Sequence, residues 1–238
     1  MRIIENGDVE GGPPNGFAHD LPVGGGNLDS LSPWFQQYQS LGEGQLAKTL
    51  RKDFASSNVV VDSFIEQLFE DFPVAGFYRL DIPDAPEDDL PEWIALISSM
   101  GTILVREPDE WTPHNDLFSL DPILCDLLRI VGRLAFTRDE FDGHNILPDQ
   151  GFYRPPDTLT ENSMAYTAHQ ESLLLGSAFF YRTPCNNYFG TVKDGRIVKW
   201  TFDGGTADVA FNCMEQFLSG LTEFWNSKSV SRENHFYY

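Results

Sequence analysis

The chain has 238 residues, 36 acidic against 16 basic side chains, and a formal net charge of −20. A surface that acidic repels nucleic-acid backbones and attracts basic proteins. Its hydrophobic content of 41%, rich in Phe, is too high for a disordered chain. No apolar run approaches the roughly 20 residues a membrane helix needs, and the N-terminus lacks the apolar core of a signal peptide. Cys125, Cys185 and Cys213 are odd in number and show no CxxC spacing. This argues against a disulfide scaffold or zinc site and places the protein in a reducing cytoplasm.

Residues 1–29 read as an irregular arm, since Gly11-Gly12-Pro13-Pro14 and Gly24-Gly25-Gly26 hold no regular structure cheaply. The rest, 30–238, reads as a single domain. Leu31, Trp34, Phe35 and Tyr38 predict a short amphipathic helix capped by Ser30 or Ser32. A second helix runs from Gln45 to Phe54. Neither GxGxxG nor a P-loop lysine is present, so phosphate binding has no support.

Val59-Val60-Val61 is a brief β-branched run, after which Asp62 caps a helix carrying Phe64, Ile65, Leu68, Phe69 and Phe72. Val74 to Leu80 is strand-like, and Asp81 to Asp89 is an acidic, proline-punctuated loop. Pro91 then opens a predicted helix through Trp93, Ile94, Leu96, Ile97 and Met100, stopped by Gly101. Thr102 to Val105 is a strand and Glu107 to Asp116 a polar loop. Pro122 opens a helix whose buried stripe runs to Val131 and Leu134. From Thr137 to Asn162 the chain is irregular and acidic.

The late part changes character. Leu173 to Leu175, then Ala178 to Phe180, form a strand-like run broken by Gly176, and Asn187 to Val192 is a second. Asp194-Gly195 predicts a type I′ hairpin to Ile197–Phe202. Phe211, Met214, Phe217, Leu218, Leu221, Phe224 and Trp225 then recur at helical spacing, behind a cap at Asn212. The whole predicts an α+β fold, with helices packed on a mostly antiparallel sheet and a C-terminal meander closed by an amphipathic helix.

Chemistry is harder to find. His169-Gln170-Glu171 would be an acid/base pair on a strand face, but it reads more simply as a surface histidine before a strand. His114 with Asp116, and Asp142 with His144, are two-ligand pairs in loops and make incomplete metal sites. Cys185 with His169 as base would be a thiol nucleophile, but its acidic surroundings oppose a thiolate. No cofactor is expected. Trp93, Trp200 and Trp225 fall on periodic apolar positions and read as core. Trp111, beside Asp109 and Glu110, is the better candidate for an exposed anchor.

Two stretches resemble the SUKH superfamily. The first is Leu90-Pro91-Glu92-Trp93 through Met100-Gly101, similar to that family's leucine-proline-opened helix ending in glycine. The second comprises Leu173–Ser177, Asn187–Gly190, Asp194–Trp200 and Asn212–Leu218, similar to its late sheet and closing helix. Cys213 stands where the family more often has serine. The resemblance covers about 58–228 and implies an α+β fold with a central sheet. It also implies a binding role: most often an immunity protein against a secreted toxin, commonly a basic nuclease, with fungal and viral relatives acting as regulators or host-interaction proteins. The family has no catalytic residues to carry over.

The expectation is therefore a non-catalytic, cytoplasmic, acidic protein that binds and neutralises a basic toxin, with neither nucleic acid nor membrane as partner. The partner-facing cluster would be Asp84, Glu87, Asp88, Asp89, Asp109, Glu110, Trp111 and Asp116. The alternatives are a regulatory or scaffold protein of the same fold, and a thiol-dependent hydrolase.

Overall fold

The computed structural model describes residues 32–38, 41, 44–79, 92–108, 121–137, 144–146, 166–183, 187–201, 205–227 and 235–236. In chain order these form α1 (Pro33–Gln36), α2 (Gln45–Asp53), α3 (Val59–Asp71), β1 (Val74–Arg79), β2 (Glu92–Ser98), β3 (Gly101–Arg106), α4 (Pro122–Ile130), β4 (Arg133–Thr137), β5 (His144–Ile146), α5 (Ala168–Leu175), β6 (Ser177–Arg182), β7 (Asn187–Val192), β8 (Ile197–Thr201), β9 (Thr206–Phe211) and α6 (Met214–Asn226). The fold is α+β. All nine strands lie in one sheet in the order of the chain, and every neighbouring pair is antiparallel. Two four-stranded halves, β1–β4 and β6–β9, are joined through the three-residue β5. There Ile146 pairs with Leu134 on one side and Tyr181 on the other.

Both faces of the sheet are buried. Ile94, Leu96, Ile103, Val105, Leu134, Phe136 and Ile146 point to one face, in a single core with the apolar stripes of α2, α3, α4 and α6. The opposite face is buried in two patches. Leu173 and Leu174 of α5 cover Phe179, Val198, Trp200 and Ala207, where the Trp200 indole donates to the Tyr166 hydroxyl at 3.1 Å. Trp93, Ala95, Ile97, Leu104 and Ala135 form the other patch.

A bulge sits at the centre of the first core. Phe179 pairs with Gly190 and Tyr181 with Phe189, so β6 takes two steps where β7 takes one. Phe180 and Tyr181 therefore face the same side. Both rings meet Phe217 of α6 edge-on, at centroid distances of 5.1 and 5.4 Å. Phe236, only 2% exposed, packs on Tyr181, Phe189, Phe211, Phe217 and Phe224 and ties the far end of the chain into this cluster. Burial pushes the Tyr181 phenol well above its ordinary range.

Several expectations hold. Ser32 caps α1, and α2 and the body of α3 lie where the periodicity places them. Pro122 opens α4, capped by Asp121, whose Oδ1 accepts from the Ile123 N–H at 2.8 Å. Trp93, Trp200 and Trp225 are buried.

Others are corrected. Residues 92–98 form a strand, not a helix. Trp93, Ala95 and Ile97 face one side and Ile94 and Leu96 the other, and both sides are buried. A strand buried on two faces reads as an unbroken apolar run, which periodicity alone does not separate from a helix. Gly101, expected as a helix stop, instead follows a tight turn and pairs with Ser98, at φ 145°.

Leu173–Leu175 end a helix rather than a strand. A capping box overrides their apolar run: Thr167 Oγ1 accepts from the Gln170 N–H at 3.3 Å, and Gln170 Oε1 accepts from the Thr167 N–H at 3.0 Å. Val59–Val61 open α3 because the Asn58 side chain accepts from the Val60 and Val61 N–H groups. Helix α4 stops at Ile130, short of Leu134. Gly132 lies so close to β3 that a Cβ there would sit 2.0 Å from the Glu107 carbonyl oxygen.

The β7–β8 loop holds three residues between the bonded pair Val192 and Arg196, with Gly195 at φ 87°, so it is not the two-residue type I′ turn expected. Strand β9 was not expected at all, and Phe211 ends it rather than joining α6. The cap position of α6 is Cys213, with no side-chain bond. The neighbouring Asn212 N–H donates to Gln216 Oε1 at 3.0 Å.

Phe217→Ala should cost about 3–5 kcal/mol of stability in urea denaturation, as truncation of a core aromatic does. Leu175→Ala, at a site 72% exposed, should stay within about 0.5 kcal/mol. His235, beside Phe211 and next to the Phe236 anchor, has its pKa lowered by burial and by Lys199. Its unfolded form therefore binds a proton at a higher pH than its folded form. Its contribution is complete above the unfolded pKa, about 6.5, and is lost as pH falls through the window below it. His235→Gln should remove that part of the acid slope in denaturation curves taken across the window.

Candidate functional site

The acidic cluster expected to face a partner lies outside the described residues: Asp84, Glu87, Asp88 and Asp89 in 80–91, and Asp109, Glu110, Trp111 and Asp116 in 109–120. What the sheet fixes is where these segments leave it. The first connects β1 to β2, and the second follows β3. Arg79 stands opposite Glu92, and Arg106 opposite Arg133, so both connections depart from the same end of the sheet.

The catalytic alternatives fare as follows. His169 is exposed in the first turn of α5. On a helix, residues i and i+2 do not face each other, so His169 and Glu171 do not form the strand-face pair considered from sequence. Cys185, His114, Asp116 and Asp142 lie outside the described residues. No group of three or more potential metal ligands occurs among the described residues. Nor is any helix among them long and apolar enough to cross a membrane. Cys125 lies half-buried on α4. Burial raises its thiol pKa, with Asp126 and Asp121 adding to the rise and Arg129 opposing it.

The described residues do build one open trough, of about 750 Å³, between α3 and α6. It follows from how each helix spends its faces. Helix α3 turns Val61, Phe64, Ile65, Leu68 and Phe69 inward, and α6 turns Met214, Phe217, Leu218, Leu221, Phe224 and Trp225 inward. Beside these stripes run Val59, Ser63 and Gln67 on α3, and Glu215, Ser219, Thr222 and Asn226 on α6, at helical spacings of three and four.

The helices meet where Phe64 packs on Trp225, with ring centroids 6.2 Å apart. At their C-terminal ends the Asp71 carboxylate accepts from both the Gln67 and Asn226 side-chain amides. Elsewhere along the seam the facing side chains are small. Ser63, Ser219 and Thr222 leave space that Leu or Phe would fill, and Phe64 and Leu218 form the apolar floor.

The electrostatics are one-sided. Among the described residues Glu215 and Glu223 line the trough, no Lys, Arg or His does, and neither glutamate has an ion-pair partner. Arg51 of α2 is held instead by Glu66 and Glu70 of α3. Val59 lines the same trough, 79% exposed, a bare apolar side chain.

Sequence reasoning passed over this trough. Its signal was present in the serines and threonine interrupting otherwise large-residue helices at matching spacing. Comparison of the chain with family models, curated proteins and solved structures finds no match.

In a variant carrying Cys185→Ser and Cys213→Ser, the remaining Cys125 should react with iodoacetamide at pH 8 more slowly than a free peptide thiol. The gap should narrow as the pH rises. A rate at or above the peptide's would contradict the raised pKa.

Proposed function

We propose that this chain is a non-catalytic acidic binding protein of the immunity type. It neutralises a basic toxin, such as a nuclease, by covering that protein's active or substrate-binding surface. The observation that carries this reading is the net charge of −20. A protein whose own field is that negative draws a cationic partner in from a distance and gains most of its association rate from that attraction. The α+β architecture is also the class that the SUKH resemblance implies, and among the described residues the trough presents carboxylates without a compensating cation.

In this reading Asp84, Glu87, Asp88, Asp89, Asp109, Glu110, Trp111 and Asp116 form the partner-facing cluster. Trp111 acts as the anchor and the carboxylates supply steering. Their two segments leave the same end of the sheet, which suits action on one partner surface.

The test is retention from lysate of the source organism at low and at high salt. One basic protein should be held near stoichiometry at low salt and weakened at high salt; no salt-sensitive basic partner would sink the reading. With the partner in hand, converting the seven carboxylates of the cluster to amides should slow association by about tenfold or more and flatten its salt dependence, because charge at this distance acts on the encounter rate. Unchanged kinetics would remove these residues from the interface.

A further inference from the structure

We infer that the α3–α6 trough is a docking groove for a cationic amphipathic helix of the partner. This rests on the binding-protein reading and names a contact that the sequence did not. The geometry is that of two helices awaiting a third. Exposed and half-buried side chains run along α3 from Val59 to Gln67 and along α6 from Glu215 to Asn226. At 1.5 Å per residue these stripes are about 12 and 16 Å long, the length of about three turns of a helix laid between them. Ser63, Ser219 and Thr222 keep the seam low enough for a guest's ridge to enter, as ridge-into-groove packing requires.

The chemistry of the guest follows from the lining. Phe64 and Leu218 form an apolar floor and Val59 an exposed apolar edge, so the face that enters is apolar. Glu215 and Glu223 are eight residues apart on α6, hence about 80° apart around the helix and about 12 Å apart along the axis. Neither has an ion-pair partner among the described residues. A guest helix with two Lys or Arg residues seven or eight positions apart, and apolar residues at three and four between them, meets both carboxylates while filling the floor. A helix bearing Glu or Asp at those positions meets two like charges and is rejected.

The experiment uses the full chain and a fluorescein-labelled 18-residue helical peptide of Leu, Ala and Lys with that spacing, followed by anisotropy. Its controls are a scrambled peptide of the same composition and one with Glu in place of Lys. Three protein variants are compared, each confirmed folded by its denaturation curve. Ser219→Trp fills the seam. Glu215→Lys with Glu223→Lys reverses the groove's charge. Glu171→Lys with Asp208→Lys makes the same change in net charge on α5 and β9.

The patterned peptide should bind better than both controls. Its affinity should fall by about tenfold or more, a difference of about 1.4 kcal/mol, in each of the two groove variants and much less in the distant pair. Equal loss in both charge-reversed variants, with none in Ser219→Trp, overturns the groove and leaves general acidic attraction, and so the proposed function, standing. No preference for the patterned peptide also overturns it. So does a dimer of the unliganded chain that Ser219→Trp abolishes, which would give the groove to a second copy. Failure of the lysate test with the groove effects intact would instead reject the immunity reading alone.

Discussion

One extra residue in β6 organises the centre of this protein. The bulge at Phe180 brings two successive aromatic side chains to the same face of a strand whose residues would otherwise alternate. Phe217 inserts against both, and Phe189, Phe211, Phe224 and Phe236 pack around it. Helix α6 is thereby fixed to the β6–β9 half of the sheet. The same helix reaches the other half through Trp225, which stacks on Phe136 of β4 at 5.5 Å. Its seating sets the distance to α3, and with it the width of the trough.

The trough is the by-product of two opposed demands on a pair of helices. Their inward stripes must be large and apolar to close a core against a twisted sheet. Their outward stripes carry small polar residues, so the surfaces beside the contact do not zip together. The seam is closed at Phe64–Trp225 and at the Asp71 carboxylate shared by Gln67 and Asn226. Two glutamates with no ion-pair partner among the described residues and one exposed valine then give an otherwise plain helix pair a definite chemical preference. In the proposed reading the long-range charge and the local groove serve different stages of binding: the first would bring a cationic partner near, and the second would select which part of it stays.

How much of this could be read in advance depended on where local signals were unopposed. Where one face of an element meets solvent, as in α2, α3 and α6, periodicity located the helix to within a few residues. Where both faces are buried it failed: Trp93 to Ile97 has no polar face to betray a period of two, and an adjacent Leu-Pro and Gly looked like helix punctuation. The capping box at Thr167-Gln170 was visible in the sequence but was outvoted by three leucines. The bulge left no local mark, because Ala178-Phe179-Phe180-Tyr181 is equally apolar with or without it. The trough was missed for a related reason: it is made of residues absent from the core, and a search for chemistry looks for reactive groups rather than for missing volume.

The order of the strands has a further consequence. Each strand pairs with the next in the chain, so the sheet grows by joining neighbours; β2–β3, β6–β7, β7–β8 and β8–β9 close over short connections and form readily, while β3–β4 and β5–β6 close over longer ones that carry α4 and α5. The seam between α3 and α6 is of another kind. The bond from Asn226 to Asp71 joins residues 155 positions apart, and the two walls of the trough come from opposite ends of the described chain. The groove therefore exists only once the meander between them is complete. A guest held there gains nothing from a half-made sheet and stabilises only the finished one. If the seam binds as proposed, recognition there is also a readout of folding, and a chain cut short before α6 would keep most of its charge but lose the groove.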